Sequence, residues 1–523
     1  MFIDRFSNGT EKYRLISKDG VKRVSMEGRI FYALDPLAII KLASEAFHDA
    51  AFYLRSSHLE GWKNIIEDPE ASDNDRYVAA ALLKNAVISA SGELPLCQDT
   101  GTATVVALRG SNIITDGTDE SAISDGIKSA YSTYNLRYSQ IIPDSMTDEH
   151  NSKNNLPGQV EIIHDSGDSY RFLFIAKGGG SSNKTTLIQA SKALLREDAL
   201  KNLLGEKISS LGVAACPPYH LAVVIGGTSP EANLKTLKLA TAHACDHISS
   251  KPSENGVFRD QKWEEIVMEI AQESGLGAQF GGKYLAMDAR VIRLPRHAGS
   301  CPVSIGVSCS AHRNILGRID ADGVWLEELE TEPEKYLLQV ENSFTPVEIE
   351  ITDDIEKTAG KLDGLAAGSL VHLSGTMIVA RDIAHARLFE MLKAGNPLPD
   401  YFKRYPVYYA GPAKTPAGMP IGSFGPTTAQ RMDEYLETFM SLGFSRITLA
   451  KGNRSPSVAK SCARYNGFYL GTIGGAASLL AKENIVHSEI IDFEDLGMEA
   501  IRKIQVKNLP AFIITDNRGN SLY

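Results

Sequence analysis

Apolar positions along the chain fall in short blocks that alternate between the two-residue period of strands and the three-to-four-residue period of helices. The first blocks read as strands, and Asp35-Pro36 then opens a helix. Asp caps it, Pro suits its first position, and Leu37, Ile40, Ala43, Phe47, Ala50 and Leu54 share one face. A second helix is predicted over 76–91, with Val78, Leu82, Leu83 and Val87 as its stripe and Gly92 as its stop. Downstream, 103–108, 160–163, 170–176, 221–225 and 286–294 read as strands, while 119–138 and 230–243 read as helices.

Around Pro333 the pattern breaks into an acidic run, Glu327, Glu328, Glu330, Glu332 and Glu334, of the kind that forms a solvated connector. Beyond it, strand-like runs at 347–351, 370–374, 447–450 and 511–515 alternate with helices and glycine turns. The expected fold is therefore α/β (α+β) in two domains. A larger mixed N-terminal domain covers 1–330 and a smaller C-terminal α/β domain covers 331–523. A chain of 523 residues is too long for one ordinary core, which agrees with that division.

Composition narrows the function. A balance of 54 basic against 64 acidic residues, net −10, argues against coating nucleic acid or an anionic membrane. No stretch approaches the roughly 20 apolar residues of a membrane helix, and 1–20 lacks a signal-type apolar run, so a cytoplasmic protein is expected. Six cysteines in such a compartment point to reduced thiols or metal ligands.

The most unusual stretch is Arg296-His297-Ala298-Gly299-Ser300-Cys301-Pro302, continuing to Ser308-Cys309-Ser310. It sets basic groups and two thiols among small residues, which favours a thiolate. Two further cysteines stand in loops, in Cys97-Gln98-Asp99-Thr100-Gly101 and in Cys216-Pro217-Pro218. Alone, the first also reads as an ordinary polar turn and the second as packing. No pair has C-x-x-C spacing, so any shared centre must be assembled from distant segments. Three thiolates on a four-iron cluster would leave one iron free to act as a Lewis acid. The run Lys177-Gly178-Gly179-Gly180-Ser181-Ser182-Asn183-Lys184 lacks phosphate-loop spacing but suits backbone N–H groups closing on a carboxylate.

Those two glycine- and cysteine-bearing motifs, with Arg293-Leu294-Pro295-Arg296-His297, Gly375-Thr376, Ala380-Arg381-Asp382-Ile383-Ala384-His385 and Gly425-Pro426-Thr427-Thr428 followed by Arg431-Met432, closely resemble the class I fumarate hydratases from about residue 40 onward. The resemblance implies a homodimeric hydro-lyase that interconverts fumarate and L-malate with a [4Fe–4S] cluster, its C-terminal domain able to swivel. It implies Cys97, Cys216 and Cys309 as cluster ligands, with Gln98, Arg137, Gly180, Arg381, Arg431 and Lys451 as substrate contacts. Thr427 becomes the candidate base and Asp99 the candidate acid, with His297 coupled to Asp99. Cys245, Cys301 and Cys462 match no ligand, and His385 reads as packing behind the site. Fixed cations are what a dianion entering an acidic protein requires.

Two readings compete. An L-tartrate dehydratase or mesaconate hydratase would keep the fold and change the substrate. A metal-free anion-binding or sensor protein would use the same arginines without the cluster. On the favoured reading the chemistry lies in the cleft between the two domains.

Overall fold

A computed structural model of the chain describes residues 6–7, 9–338 and 344–523. Residues 1–5 and 8 of the 1–20 stretch read above lie outside them. Strand Thr102–Gly110 is buried along most of its length because both faces are covered. Val105 and Ala107 join a core with helices Pro36–Phe52 and Asp119–Thr133, while Val106 and Leu108 enter a layer shared with a second sheet. Burial on both sides is why the segment reads as a continuous apolar run.

The sheet holding that strand runs in the order Tyr13–Ser17, Gly323–Glu327, Asn314–Asp320, Tyr170–Lys177, Thr102–Gly110, Gln159–Asp165. Against it stacks a five-stranded sheet, Thr186–Ala190, Cys301–Ser308, Tyr219–Gly227, Ala286–Arg296, Phe258–Arg259. In Tyr219–Gly227, Ala222 and Val224 face the first sheet, whereas Leu221, Val223 and Ile225 pack with helices Glu197–Leu211 and Gln261–Glu273. The result is a helix–sheet–sheet–helix stack.

Both sheets end by Glu327, and a seven-stranded sheet begins at Val347. It does not stand free. Leu370, Ile378, Tyr469 and Phe512 share one core with Trp62, Val78 and Leu82 of helices Ser56–Glu67 and Asp73–Ser89.

Three local expectations change. The first helix is capped as predicted, with Leu37 N–H donating to Asp35 at 2.9 Å, but Leu37 itself is 68% exposed. The buried stripe is Ala38, Ile39, Leu42, Ala43, Ala46 and Phe47, rotated from the predicted face because small alanines carry much of the contact. The second helix starts at Asp73, after a Ser72–Asp75 capping box. Ser56–Glu67 was not anticipated, since His58, Leu59, Trp62 and Ile65 form its buried face amid polar neighbours.

Asp75 is fully buried, and one of its oxygens accepts from the N–H groups of Ala278 and Tyr284 at 2.8 and 3.2 Å. The other accepts from Lys283 N–H at 2.8 Å and from the Ser72 hydroxyl at 2.7 Å. It thereby holds the loop that carries Gln279, whose amide clamps Pro217 O and both backbone groups of Gly474. Asp75→Asn presents N–H to N–H across this contact and should cost roughly 2–4 kcal/mol, seen as a lower thermal midpoint. An unchanged midpoint would show that the clamp carries no stability.

Candidate active site

Strand register assembles the site. Tyr219–Gly227 pairs antiparallel with Cys301–Ser308, His220 opposite Ser308. Cys216, just before one strand, therefore meets Cys309, just after the other, and Ser310 N–H donates to Cys216 O at 3.0 Å. In the neighbouring sheet Thr102 lies opposite Lys177. This lays the Cys97–Gly101 loop along the glycine loop, where Gly179 N–H donates to Asp99 Oδ2 at 2.9 Å. Lys451 leaves the end of strand Ile447–Ala450 in the third sheet, and its ammonium lies 2.8 Å from Cys216 Sγ.

The charges of Cys97, Cys216 and Cys309 act on one another. Cys97 and Cys216 are buried and Cys309 is half-buried. Burial raises both buried thiols, Cys216 to about 11, against the opposing pull of Lys451; Arg313 is the chief cation opposing the rise at Cys97. Conversely, burial alone would lower Lys451, but the three sulfurs more than offset it and its pKa rises. At Gly474 a Cβ would come within 2.3 Å of Cys216 Sγ, so only glycine leaves that sulfur its place. Three thiols, a cation and a glycine cradle fit a metal–sulfur group.

Asp99 sits beside them. Burial would raise its pKa, yet Arg137 at 3.1 Å, Arg313, and the N–H groups of Gly179 and Gly101 lower it to about 2. Arg313 also donates to Asp99 O at 2.7 Å. Gln98 is buried, accepts from Cys97 Sγ at 3.3 Å and donates to Pro426 O at 3.0 Å. Gly180 closes on Lys451, whose Nζ would lie 3.8 Å from an added Cβ.

Across from these, Arg381 is buried and paired with Glu499 at 2.6 Å. Its Nε has no hydrogen-bond partner among the described residues. Burial lowers the Arg381 pKa and raises that of Glu499, each opposed by the other's charge. Arg381 also feels the charges of Arg137 and Asp99. Arg431 is more open, pairs with Asp382 at 2.9 Å, and with Gly180, Lys184, Ala214 and Thr428 lines a cavity of about 300 Å³.

Thr427 is buried, and its hydroxyl and N–H both meet Tyr409 O, at 3.3 and 2.8 Å. The cap position of the following 3₁₀ turn belongs to Thr428, which makes no side-chain cap bond. Thr427 is thus not a helix cap. His385 is buried among Tyr409, Phe402 and Phe439, its Nδ1 on Arg381 O. Cys245, Cys301 and Cys462 each lie in a separate apolar core.

His297 departs from expectation. It lies on an exposed loop, its Nδ1 accepting from Gly299 N–H at 3.1 Å. The eight-residue strand Cys301–Ser308 separates this loop from Cys309 by roughly 25 Å. Within one chain, therefore, the Arg296–Ser310 stretch does not fold into one corner: Cys309 reaches the site and His297 does not. Arg313 and Glu499, absent from the expected set, belong to it. Arg313 follows the cysteine motif by only four residues, and that proximity was the available signal. Glu499 carries none.

Three thiols beside fixed cations and a carboxylate are a donor set that fits a metal–sulfur group, with charge that suits an organic anion. Models of two family segments match the chain, "Fumarate hydratase (Fumerase)" over residues 40–318 and "Fumarase C-terminus" over 323–523. "Fumarate hydratase 2" of Leishmania major is 52% identical over 519 residues, covering 98% of this chain and 90% of that protein. "Fumarate hydratase class I, anaerobic" of Escherichia coli (strain K12) is 50% identical over 516 residues, 98% of this chain and 94% of that protein. The chain belongs to the class I fumarate hydratase family.

Because its folded pKa lies below the unfolded value, Asp99 contributes stability that is present above about pH 4 and lost as pH falls toward about 2. Arg313→Met should move the Asp99 titration upward, read by carboxyl ¹³C NMR against an Asp99→Asn control. An unmoved titration would remove Arg313 from the account.

Proposed function

We propose that the chain catalyses the reversible addition of water to fumarate to give L-malate, with a [4Fe–4S] cluster held by Cys97, Cys216 and Cys309. The observation that carries this reading is the gathering of three mutually interacting thiols beside Lys451, Arg137 and Asp99. When bound, the cluster supplies an iron without a protein ligand, a Lewis acid for the substrate oxygen that is gained or lost.

The protein's own groups do the rest. Arg381, Arg431, Arg137, Lys451, Gln98 and the Gly180 backbone hold the two carboxylates. In the free protein Asp99 and Glu499 occupy Arg137 and Arg381, much as substrate carboxylates would. An arriving dianion draws those guanidiniums away, and the pKa of Asp99 rises. An ionised Asp99 takes a proton from the adding water in hydration and returns it to the departing hydroxyl in dehydration, as microscopic reversibility requires. Thr427, near the Lys451 backbone through the N–H of Lys451 on Thr427 O at 3.1 Å, exchanges the proton at the neighbouring carbon. Its hydroxyl needs the cations of Lys451 and Arg431 to become basic.

The break between the second and third sheets supports a division into an N-terminal part that holds the cluster and a C-terminal part that adds Arg381, Arg431 and Lys451 to the substrate contacts. Coupling of His297 to Asp99 then requires a second copy of the chain, consistent with the expected homodimer. No helix among the described residues is long and apolar enough to cross a membrane, and we assign the enzyme to the cytoplasm.

Thr427→Ala should keep iron and acid-labile sulfide while losing roughly 10²–10⁴-fold in turnover. Full turnover with an intact cluster would exclude Thr427 from the chemistry. Anaerobic assays should favour fumarate over mesaconate and tartrate, and a clear preference for either of those would transfer the reading to that hydratase.

A further inference from the structure

Behind the backbone that joins Cys309 to Arg313, four imidazoles from separate elements meet: His58, His220, His243 and His312. Their hydrogen bonds fix the protons on His58 and on His220 Nε2. His58 Nε2 lies 2.7 Å from Ser310 O, a pure acceptor, and so must donate to it. Burial and the neighbouring imidazoles keep His58 neutral, leaving its Nδ1 as an acceptor for His220 Nε2–H at 2.9 Å. Asp288 Oδ1, also a pure acceptor, lies 2.8 Å from the remaining His220 nitrogen, Nδ1, and His243 Nε2 lies 3.1 Å from it, so a proton or a metal cation must stand between them. His243 Nε2 is itself 3.4 Å from Asp288 Oδ2, while its Nδ1 is turned toward Asp246.

His312 is arranged differently. Asn314 Oδ1 accepts from Arg55, so its Nδ2 donates to His312 Nε2 at 2.9 Å, and His312 Nδ1–H is spent on Ser308 Oγ at 2.7 Å. It forms a wall, its ring 4.2 Å from that of His220.

Three groups able to donate an electron pair, His220 Nδ1, His243 Nε2 and a carboxylate of Asp288, thus converge on the place of that proton or cation. Donors 2.8 to 3.4 Å apart have the separation of adjacent ligands on one ion at about 2.1 Å. The surrounding charge also calls for a cation. Asp288 and Asp246 face the guanidinium of Arg290, which grips Asp246 at 2.5 and 2.8 Å and stands 3.6 Å from Asp288, while Arg259, which also acts on Asp246, is itself paired with Glu264. His243 and Asp288 side chains remain 27% and 29% exposed, which gives an ion a way in. The chain His220 Nε2–H to His58 to Ser310 O is the outer support that ligating histidines use to hold one tautomer.

We propose that His220, His243 and Asp288 bind one divalent transition-metal ion of the zinc or ferrous type, at a site apart from the three thiols. Two imidazoles and one carboxylate suit either ion, with further positions filled by water. The ion braces the start of strand Tyr219–Gly227 and, through His58, the Ser310 backbone between the two cysteine loops.

The test uses anaerobically purified holoenzyme incubated with Co²⁺ as probe, desalted and analysed for metals. One Co²⁺ or one resident Zn²⁺ per chain is expected beyond the cluster iron, with Co²⁺ ligand-field absorption. Asp288→Asn and His243→Ala should each lower that stoichiometry at least tenfold with cluster iron and sulfide unchanged. Should His243→Ala fail to fold, the wild-type stoichiometry and His243→Gln decide. Equal Co²⁺ retention in the variants would mark adventitious binding and overturn the site. So would absence of any extra ion from the wild type, with ring ¹⁵N resonances showing His220 doubly protonated.

Discussion

The contact between the Lys451 ammonium and Cys216 Sγ, 2.8 Å long, is the interaction on which the remainder of the centre depends. Lys451 belongs to the third sheet and Cys216 to a loop of the second, so one charge-assisted bond joins the two halves of the chain at the reacting centre. The surrounding structure is arranged to keep it. Asn453 Oδ1 accepts from Val213 N–H at 3.0 Å, and Gln279 links Pro217 O to Gly474. Beneath Gln279, the buried carboxylate of Asp75 carries that loop. A core common to helices Ser56–Glu67 and Asp73–Ser89 and the third sheet supplies the rigid base.

Charge pairing gives the site a resting state that resembles its loaded one. Arg137 rests on Asp99 and Arg381 on Glu499, each buried enough that an unpaired ion would be costly. On the mechanism we propose, a dicarboxylate would replace these internal carboxylates with its own, leaving no bare buried arginine, and the same exchange would raise the proton affinity of Asp99. Binding and proton transfer would then be coupled by one set of guanidiniums.

Much of this was legible in the chain. Cys97, Cys216 and Cys309 stand at the ends of apolar strands, and once those strands pair, their convergence follows. The motif resemblance likewise pointed to Arg137, Arg381, Arg431 and Lys451. Other features were hidden for physical reasons. His297 and Cys309 are near in sequence, but an extended strand converts that nearness into distance. Helix Ser56–Glu67 buries only a narrow stripe and therefore lacks a strong periodic signal. Arg313 looks like any basic residue until the register of Asn314 with Ile175 turns it onto the Asp99 loop. The four histidines come from four separate segments, and only the folded chain brings their rings together.

The central claim is that three thiolates hold a cluster in which one iron remains open to the substrate. Mössbauer spectroscopy of anaerobic protein carrying isotope-enriched iron, recorded with and without L-malate, tests it most directly. The account predicts that one iron in four changes its spectrum on addition of L-malate while the others do not. A spectrum indifferent to the substrate, or a change shared equally by all the iron, would contradict it.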